Sequence, residues 1–485
     1  MVRRLVSVCA AVACILPVLG EAHGAERTEV VDAFDYANDN PFDFHLEPTF
    51  RQEFERGRIT RESGCDPAVD PTRCDEVSTV FNRELDYTRS QTALDLDFQF
   101  GLYHDLEFHI GLPIVIHDRR ELEYADDVTP ALSSIDPTDE RIQADLDPSV
   151  SDPFGDYFGT YRYFDVPDDG RKRSGVGDVL IGLAWSPWND RRNPNAANLT
   201  LRFDYVAPTG KPARGTNSGV GRGVHEIRLG IDASRRFKRF VDPYFGFHFT
   251  VPIAASSGLF EANGNTTSTA PGSRFDTTAG VEVVMADDEE RGQVYTFDLG
   301  FDFGYVLEGR DYGPMFDALA SSPCNGLTPA EAGYGADGPD GNAYRPDEDV
   351  DPNDAACAWV TQQPGNAEFR TDVPLANSPY SHDGITDIEG HGIIGGHTAF
   401  NLQFSRYVKF SIGTFVHYTT PHFLTAADAG RDRDEDNTVQ LDPTPEDGEA
   451  ERNPNYNLTL DAVGRRFRIE NMLNIGWNAT LAFQF

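Results

Sequence analysis

The stretch that decides the fold is the chain's end, Arg465-Arg466-Phe467-Arg468-Ile469-Glu470-Asn471-Met472-Leu473-Asn474-Ile475-Gly476-Trp477-Asn478-Ala479-Thr480-Leu481-Ala482-Phe483-Gln484-Phe485. Read backwards from Phe485, every second position is mostly apolar: Phe483, Leu481, Ala479, Trp477, Ile475 and Leu473, then Asn471, Ile469 and Phe467. The positions between are polar or small, with Gln484, Thr480, Asn478, Asn474, Glu470 and Arg468 among them. A side-chain period of two with one apolar face is a β-strand. Its length is about twice that of an ordinary globular strand, and enough to cross a bilayer at a tilt. A long strand of a soluble sandwich is the rival reading, and the rest of the chain decides between them.

The pattern recurs upstream. Phe42 to Phe54 alternates loosely. Leu94 to Leu102 alternates cleanly, and after Tyr103-His104-Asp105 the run restarts as Leu106, Phe108, Ile110 and Leu112. Two alternating runs joined by so short a turn make an antiparallel hairpin. Further runs follow at Val179–Trp185, Leu199–Tyr205, Ile227–Ala233, Phe245–Val251, Phe275–Val283, Tyr295–Tyr305, Phe400–Phe404 and Val408–Tyr418. With the closing strand the count is twelve, and connections alternate strictly between short and long. Short turns on one rim and long loops on the other are the construction of an outer-membrane barrel. Closure also pairs every strand edge, which hydrocarbon demands because unpaired backbone groups there cost several kcal/mol each. The expected fold is therefore all-β: a transmembrane antiparallel up-and-down barrel, with long extracellular loops at 118–175, 308–390 and 421–463 and short periplasmic turns.

Composition agrees. The chain has 41 basic and 79 acidic residues, a net charge of −38, which excludes nucleic acid as a partner. Residues 118–175, 308–390 and 426–452 carry −8, −13 and −7, so −28 of that charge lies in three loops and not in the wall. Oxygen clusters at Asp432, Asp434, Glu435 and Asp436, and at Asp347, Glu348, Asp349 and Asp351, could hold a divalent cation. Neither has the spacing of a twelve-residue calcium loop, and no metal or cofactor is expected. After residue 22 no stretch approaches eighteen consecutive apolar residues, so no helix of the sequence crosses a membrane.

The N-terminus reads as a secretory signal over residues 1–25: Arg3-Arg4, an apolar run Leu5–Leu19, then small residues at Gly20, Ala22, Gly24 and Ala25. Cleavage after Ala22, Gly24 or Ala25 fits, leaving one barrel domain over 26–485. Removing the leader removes Cys9 and Cys14. Cys65, Cys74, Cys324 and Cys357 remain, an even number in an exported chain, which favours disulfides. Cys65–Cys74 and Cys324–Cys357 is the most local of three possible pairings.

If the apolar faces meet lipid, the lumen is lined by Asp95, Asp97, Glu107, His109, Asp178, Arg202, Asp204, Arg228, Asp232, His248, Glu282, Asp298, Asp302, Lys409, Arg468 and Glu470, with His397 and His417. Such mixed charge either salt-bridges a narrow interior or makes a polar path for small solutes, with the acidic excess disfavouring anionic cargo. Twelve strands fall between filled eight-stranded barrels and open porins, so a narrow or plugged lumen is expected.

The run Phe100-Gly101-Leu102-Tyr103-His104-Asp105-Leu106-Glu107, ending in Gly111-Leu112-Pro113, resembles a signature of the transporter-like family grouped as the MetA pathway of phenol degradation. So do Gly175-Val176-Gly177-Asp178 and Pro208-Thr209-Gly210. The resemblance covers about residues 90–255 and implies a barrel associated with uptake of small, often aromatic or hydrophobic compounds. A chain that ends on a strand with a terminal Phe also resembles bacterial outer-membrane barrels, which implies recognition of Phe485 by the barrel-assembly machinery. The expected location is the outer membrane of a Gram-negative cell, in contact with its lipid, and the expected activity is passive passage of small solutes rather than catalysis. An adhesin-type barrel displaying acidic loops is the alternative. An outer-membrane lipase would draw on Ser381, His382, Asp383, His391 and His397, but GxSxG is absent.

Overall fold

The computed structural model describes residues 25–31, 43–64, 79–129, 166–190, 196–213, 217–237, 240–253, 269–288, 291–320, 384–428 and 458–485, with a few single positions between them. Residues 1–24 and the cysteines Cys65, Cys74, Cys324 and Cys357 lie outside the described residues, as do Ser381, His382 and Asp383 and both acidic cation candidates. In chain order the strands are β1 (Phe44–Gly64), β2 (Thr79–Tyr103), β3 (Leu106–Tyr124), β4 (Arg173–Val176), β5 (Val179–Trp188), β6 (Asn198–Ala207), β7 (His225–Ser234) and β8 (Val241–Ile253). Then come β9 (Arg274–Asp288), β10 (Gln293–Val306), β11 (Gly309–Tyr312), helix α1 (Phe316–Ala320), β12 (Ile385–Ile388), β13 (His391–Ser405), β14 (Val408–Thr419), β15 (His422–Phe423), helix α2 (Leu458–Asp461) and β16 (Phe467–Gln484).

Twelve strands, β1 to β3, β5 to β10, β13, β14 and β16, each pair antiparallel with the next, and β1 pairs back onto β16. The seam runs from His45 opposite Gln484 to Arg61 opposite Phe467. Thr49 and Thr480 bridge it through their hydroxyls at 2.8 Å, and Phe485 N–H donates to Phe44 C=O at 2.9 Å. Of the other described strands, β4 pairs with β3, β15 with β16, and β11 with β12 above the ring. Short and long connections alternate around the barrel as the sequence requires.

The alternation sorts side chains by solvent. Leu299, Phe301 and Phe303 of β10 are 45–57 % exposed on the outside, while on β7 the inward Asp232 is 1 % exposed. Aromatic rings pair along the outer face: Phe44 with Phe100 at 4.9 Å and Phe50 with Trp477 at 5.3 Å, both tilted, and Phe249 stacked on Phe275 at 4.6 Å. A closed ring with an apolar, aromatic belt has hydrocarbon as its outer solvent. This protein is an outer-membrane β-barrel.

The wall is uneven in height. β5, β6 and β7 have 10 residues each, whereas β1 has 21 and β2 has 25. The sequence shows only the lower halves of β1 and β2, and misses β3 beyond Leu112. The reason is chemical: above the belt the outer face meets water, so Arg56, Arg58, Asp86, Arg119 and Glu121 replace Phe and Leu there and the apolar/polar contrast is lost. The loop placed at 118–175 therefore begins later, after Tyr124. Strand β13 likewise starts at His391, not near Phe400, because Gly395 and Gly396 blur its face.

Above the belt it is the inner face that becomes apolar. Ile59, Leu85, Tyr87, Leu122, Phe467 and Ile469 pack with Phe164, Val166, Met315, Leu319, Leu424 and Leu460 in one buried cluster. Loop residues thereby cap the outer mouth. Phe467 and Ile469, read as lipid-facing, are 0 % exposed inside this cap. The reversal is a bulge at Asn471, whose φ is 52°, beside the register shift between Arg56 and Arg58. It turns Arg468 and Glu470, expected in the lumen, to the outside of the wall, where they pair at 3.4 Å.

The bulge makes a test. Asn tolerates the left-handed region and Gly accepts it freely, but a β-branched residue is strained there. Asn471→Gly should leave the heat-resistant folded band on a gel unchanged, and Asn471→Val should lower its melting midpoint. Equal midpoints for the two variants would mean the bulge is absent.

Candidate functional site: the barrel interior

The interior is built from carboxylates, imidazoles and glycines in alternation. His109 of β3 places Nδ1 3.0 Å from Glu107 Oε1 and Nε2 2.9 Å from Asp204 Oδ1 on β6, crossing over β5. It passes above Gly182, where a Cβ would collide with both His109 and Asp204. Across the ring, His397 of β13 lies between Asp302 Oδ2 (2.8 Å) and Asp298 Oδ2 (3.2 Å), above Gly300. Tyr244 of β8 donates its hydroxyl to Asp298 at 2.8 Å and lies over Gly280. Asp302 also accepts from Thr278 Oγ1 at 2.8 Å and faces His417 Nε2 at 3.1 Å. An imidazole with carboxylate oxygens at both nitrogens donates from both, so His109 and His397 are imidazolium clamps.

Contacts spanning two and three strands are possible only across the concave side of a closed sheet. They bring Glu107, His109 and Asp204 into one group, and Asp298 and Asp302 with Tyr244, His397 and His417 into another. Asp95 pairs with Arg51 at 3.3 Å, and Asp97 stands on the same face two residues along. Asp232 faces His248 at 3.0 Å and Arg202 at 3.4 Å, Arg228 bonds Glu226 at 2.7 Å, and Glu282 is buried opposite Asp242. Asp178 is at the rim and not in the lumen. Its carboxylate accepts the backbone N–H groups of Gly210 (2.9 Å) and Arg222 (2.8 Å), pinning the Gly-rich loop, and burial raises its pKa despite those donors.

One functional element is invisible in the periodicity. Residues 25–31, with a 3-10 turn at Glu26–Thr28, lie inside the barrel. Ala25 N–H reaches Ser234 Oγ at 3.2 Å, Arg27 Nε reaches Asp232 at 2.9 Å, and Val31 N–H reaches Glu107 Oε2 at 2.9 Å. Thr200 Oγ1 donates to Thr28 C=O at 2.8 Å, and Glu29 is 3.5 Å from Lys409 Nζ. These partners stand on β3, β6, β7 and β14. Since β6 and β14 are six strands apart in a ring of twelve, the segment crosses the lumen. A seven-residue polar stretch carries no periodic signal. Its only cue is position, directly after the small residues Gly20, Ala22, Gly24 and Ala25 that follow the apolar N-terminal run.

The outer mouth is closed by different means. Arg173, fully buried, bonds Asp317 of α1, donates to Asn217 and Gly219 carbonyls at 3.1 and 3.2 Å, and stacks on Phe316. It thus ties three loops together. At the seam's top Glu62 accepts from Arg466 (2.8 Å) and Gly464 N–H (3.0 Å). Burial raises its pKa, but these donors outweigh that and hold it below the ordinary carboxylate value. His391, a candidate lipase or metal residue in the sequence, stands at the start of β13 with its Nδ1 2.9 Å from the Glu389 carbonyl. Its ring stacks on His422 at 3.9 Å, and burial pushes His422 down to about 4, a neutral pair. Among the described residues no group of three His, Cys, Asp or Glu side chains is arranged for a metal.

No protein-family model matches the chain, and no curated protein matches it. Solved structures that resemble it include an outer-membrane channel of Pseudomonas putida F1, described as COG4313, at 8 % identity and TM-score 0.37, covering 97 % of this chain and 100 % of that one. A FadL homologue of Pseudomonas aeruginosa follows at 9 % identity and TM-score 0.31, with 97 % and 99 % covered. The outer-membrane protease OmpT of Escherichia coli stands at 7 % and 0.25, with 92 % and 96 % covered. Channels and a protease among likenesses this distant carry no argument about activity.

Gly182→Val should displace His109 from Asp204 and strand a buried carboxylate, at a cost on the order of 3 kcal/mol. The folded band should melt well below wild type, and Gly182→Ala should fall between. Unchanged melting in both would show that the His109 ring does not lie over β5.

Proposed function

We propose that this barrel is a passive outer-membrane channel for small solutes, closed at rest by Ala25–Val31 on the periplasmic side and by the apolar cap on the other. The observation that carries this reading is the lumen-crossing segment. It is not part of the wall, and polar bonds hold it, each of which water can replace at a net cost of about 1 kcal/mol. Here the wall keeps Gly182, Gly230, Gly246, Gly280 and Gly300 on its inner face, so space appears once the crossing side chains swing aside.

The lining sets the cargo class. Inward carboxylates outnumber inward guanidinium and ammonium groups, which disfavours anions and suits neutral or cationic solutes, small aromatic ones included. Phe485, paired with Phe44 at the foot of the seam, is the proposed contact for the assembly machinery. The imidazolium clamps are read as structural staples rather than as an acid–base pair.

Liposome swelling and planar-bilayer conductance test the proposal. With the outer cap opened by Leu424→Asp and Leu460→Asp, removing residues 26–31 while keeping the secretion signal should raise conductance several-fold, and Arg27→Ala with Glu107→Gln in the same background should raise it less. Swelling should be faster for neutral and cationic solutes than for carboxylates. A chain that stays impermeable to every solute with both the cap opened and the segment removed, although correctly folded, would favour a display role for the loops.

A further inference from the structure

The tall side of the barrel carries a second feature, on its outer surface. Along β1 the outward positions are Phe44, Leu46, Pro48, Phe50, Gln52 and Phe54, followed by Arg56 and Arg58. With a strand rise of about 3.4 Å and a tilt of about 40°, Phe44 to Phe54 spans roughly 26 Å of barrel height, the thickness of an outer-membrane apolar belt. Arg56 and Arg58 then stand roughly 5 and 10 Å above its upper edge, at the depth of outer-leaflet headgroups.

Both side chains are exposed, and among the described residues neither makes a hydrogen bond or an ion pair. Their neighbours are already committed. Arg58 lies between Asp86 and Glu470, but Asp86 takes Arg83 at 2.6 Å and Glu470 takes Arg468 at 3.4 Å. On β3 the outward Arg119 is bound to Glu121 at 2.9 Å. Arg56 lies between Leu473 and Thr88, which offer no charge. Two guanidinium groups without an ion pair thus stand about 7 Å apart on one strand face, in a chain of net charge −38, with the outward Glu123 of β3 lying beyond Asp86. Directly below them Phe54, Ile475 and Trp477 are 39–53 % exposed, an apolar strip of acyl-chain character.

We infer that Arg56 and Arg58, with the strip Phe54–Ile475–Trp477 beneath them, form a binding site for a phosphorylated lipid of the outer leaflet. Guanidinium groups pair with phosphate oxygens through two parallel N–H bonds, which a hydrated surface does not supply. The strip continues the lipid-facing belt, so one molecule satisfies both halves: acyl chains lie on Phe54 and Trp477 while the headgroup phosphate reaches the arginines. A soluble acidic protein would match the arginines but not the strip. The site is outside the lumen and independent of whether the barrel conducts.

Native mass spectrometry of the full mature chain in a neutral detergent tests this, with diphosphorylated lipid A, the same lipid stripped of phosphate, and phosphatidylcholine as probes. Wild type should retain diphosphorylated lipid A at least about tenfold better than either other lipid. Arg56→Ala with Arg58→Ala should abolish that preference, Arg56→Lys with Arg58→Lys should keep part of it, and Arg119→Ala should bind as wild type. Each variant is compared only if its unheated band migrates as a folded barrel. Equal retention of the two lipid A forms by wild type, or full retention by the double alanine variant, overturns the site.

Discussion

Hydrocarbon offers no hydrogen-bond partner to a peptide group, and this constraint governs the molecule. Every strand that crosses the membrane must find a neighbour on both sides, so the first and last must find each other. The β1–β16 seam answers that requirement over sixteen residue steps of β1, from His45 to Arg61. Once the ring is closed, one face of each strand has lipid as its solvent and the other has the interior. The alternation of the sequence then becomes an alternation of environments.

The interior follows from the same closure. Carboxylates and imidazoles cannot face lipid, so they are gathered inside a narrow ring where their charges must cancel locally. The two clamps, Glu107–His109–Asp204 and Asp298–His397–Asp302, do this by pairing each imidazolium with two carboxylates. Rings of that size fit only because the neighbouring strand presents glycine at Gly182 and Gly300. Charge neutralisation and empty wall positions are therefore one design. It leaves a polar interior crossed by residues 25–31, which polar bonds hold to the wall.

Much of this is written in the sequence. Strand number, the order of short and long connections and the inward set on β5 to β10 follow from a period of two, because there lipid and interior impose opposite chemistry on successive residues. Legibility fails where that contrast fails. Above the belt Arg56, Arg58, Asp86 and Glu121 face water on the outside, while Ile59, Leu85 and Leu122 face the cap inside, so the period inverts and the strands read as loop. At Asn471 one extra residue reverses the phase, and counting by twos carries Phe467 and Ile469 to the wrong face. Residues 25–31 are short and aperiodic, and their role depends on partners about 75 to 380 positions away. No local pattern encodes that.

The most direct test of the closed ring is a cross-link at its seam. Thr49 and Thr480 are opposed residues on β1 and β16 with their hydroxyls in contact. With the native cysteines replaced, a Thr49→Cys, Thr480→Cys chain should form a disulfide under mild oxidation in isolated outer membranes. The linked chain should then keep an altered gel mobility after boiling that reductant removes. No cross-link in membranes where the folded band is present, or equally efficient linking of Thr49→Cys to a cysteine on β7, would contradict the account.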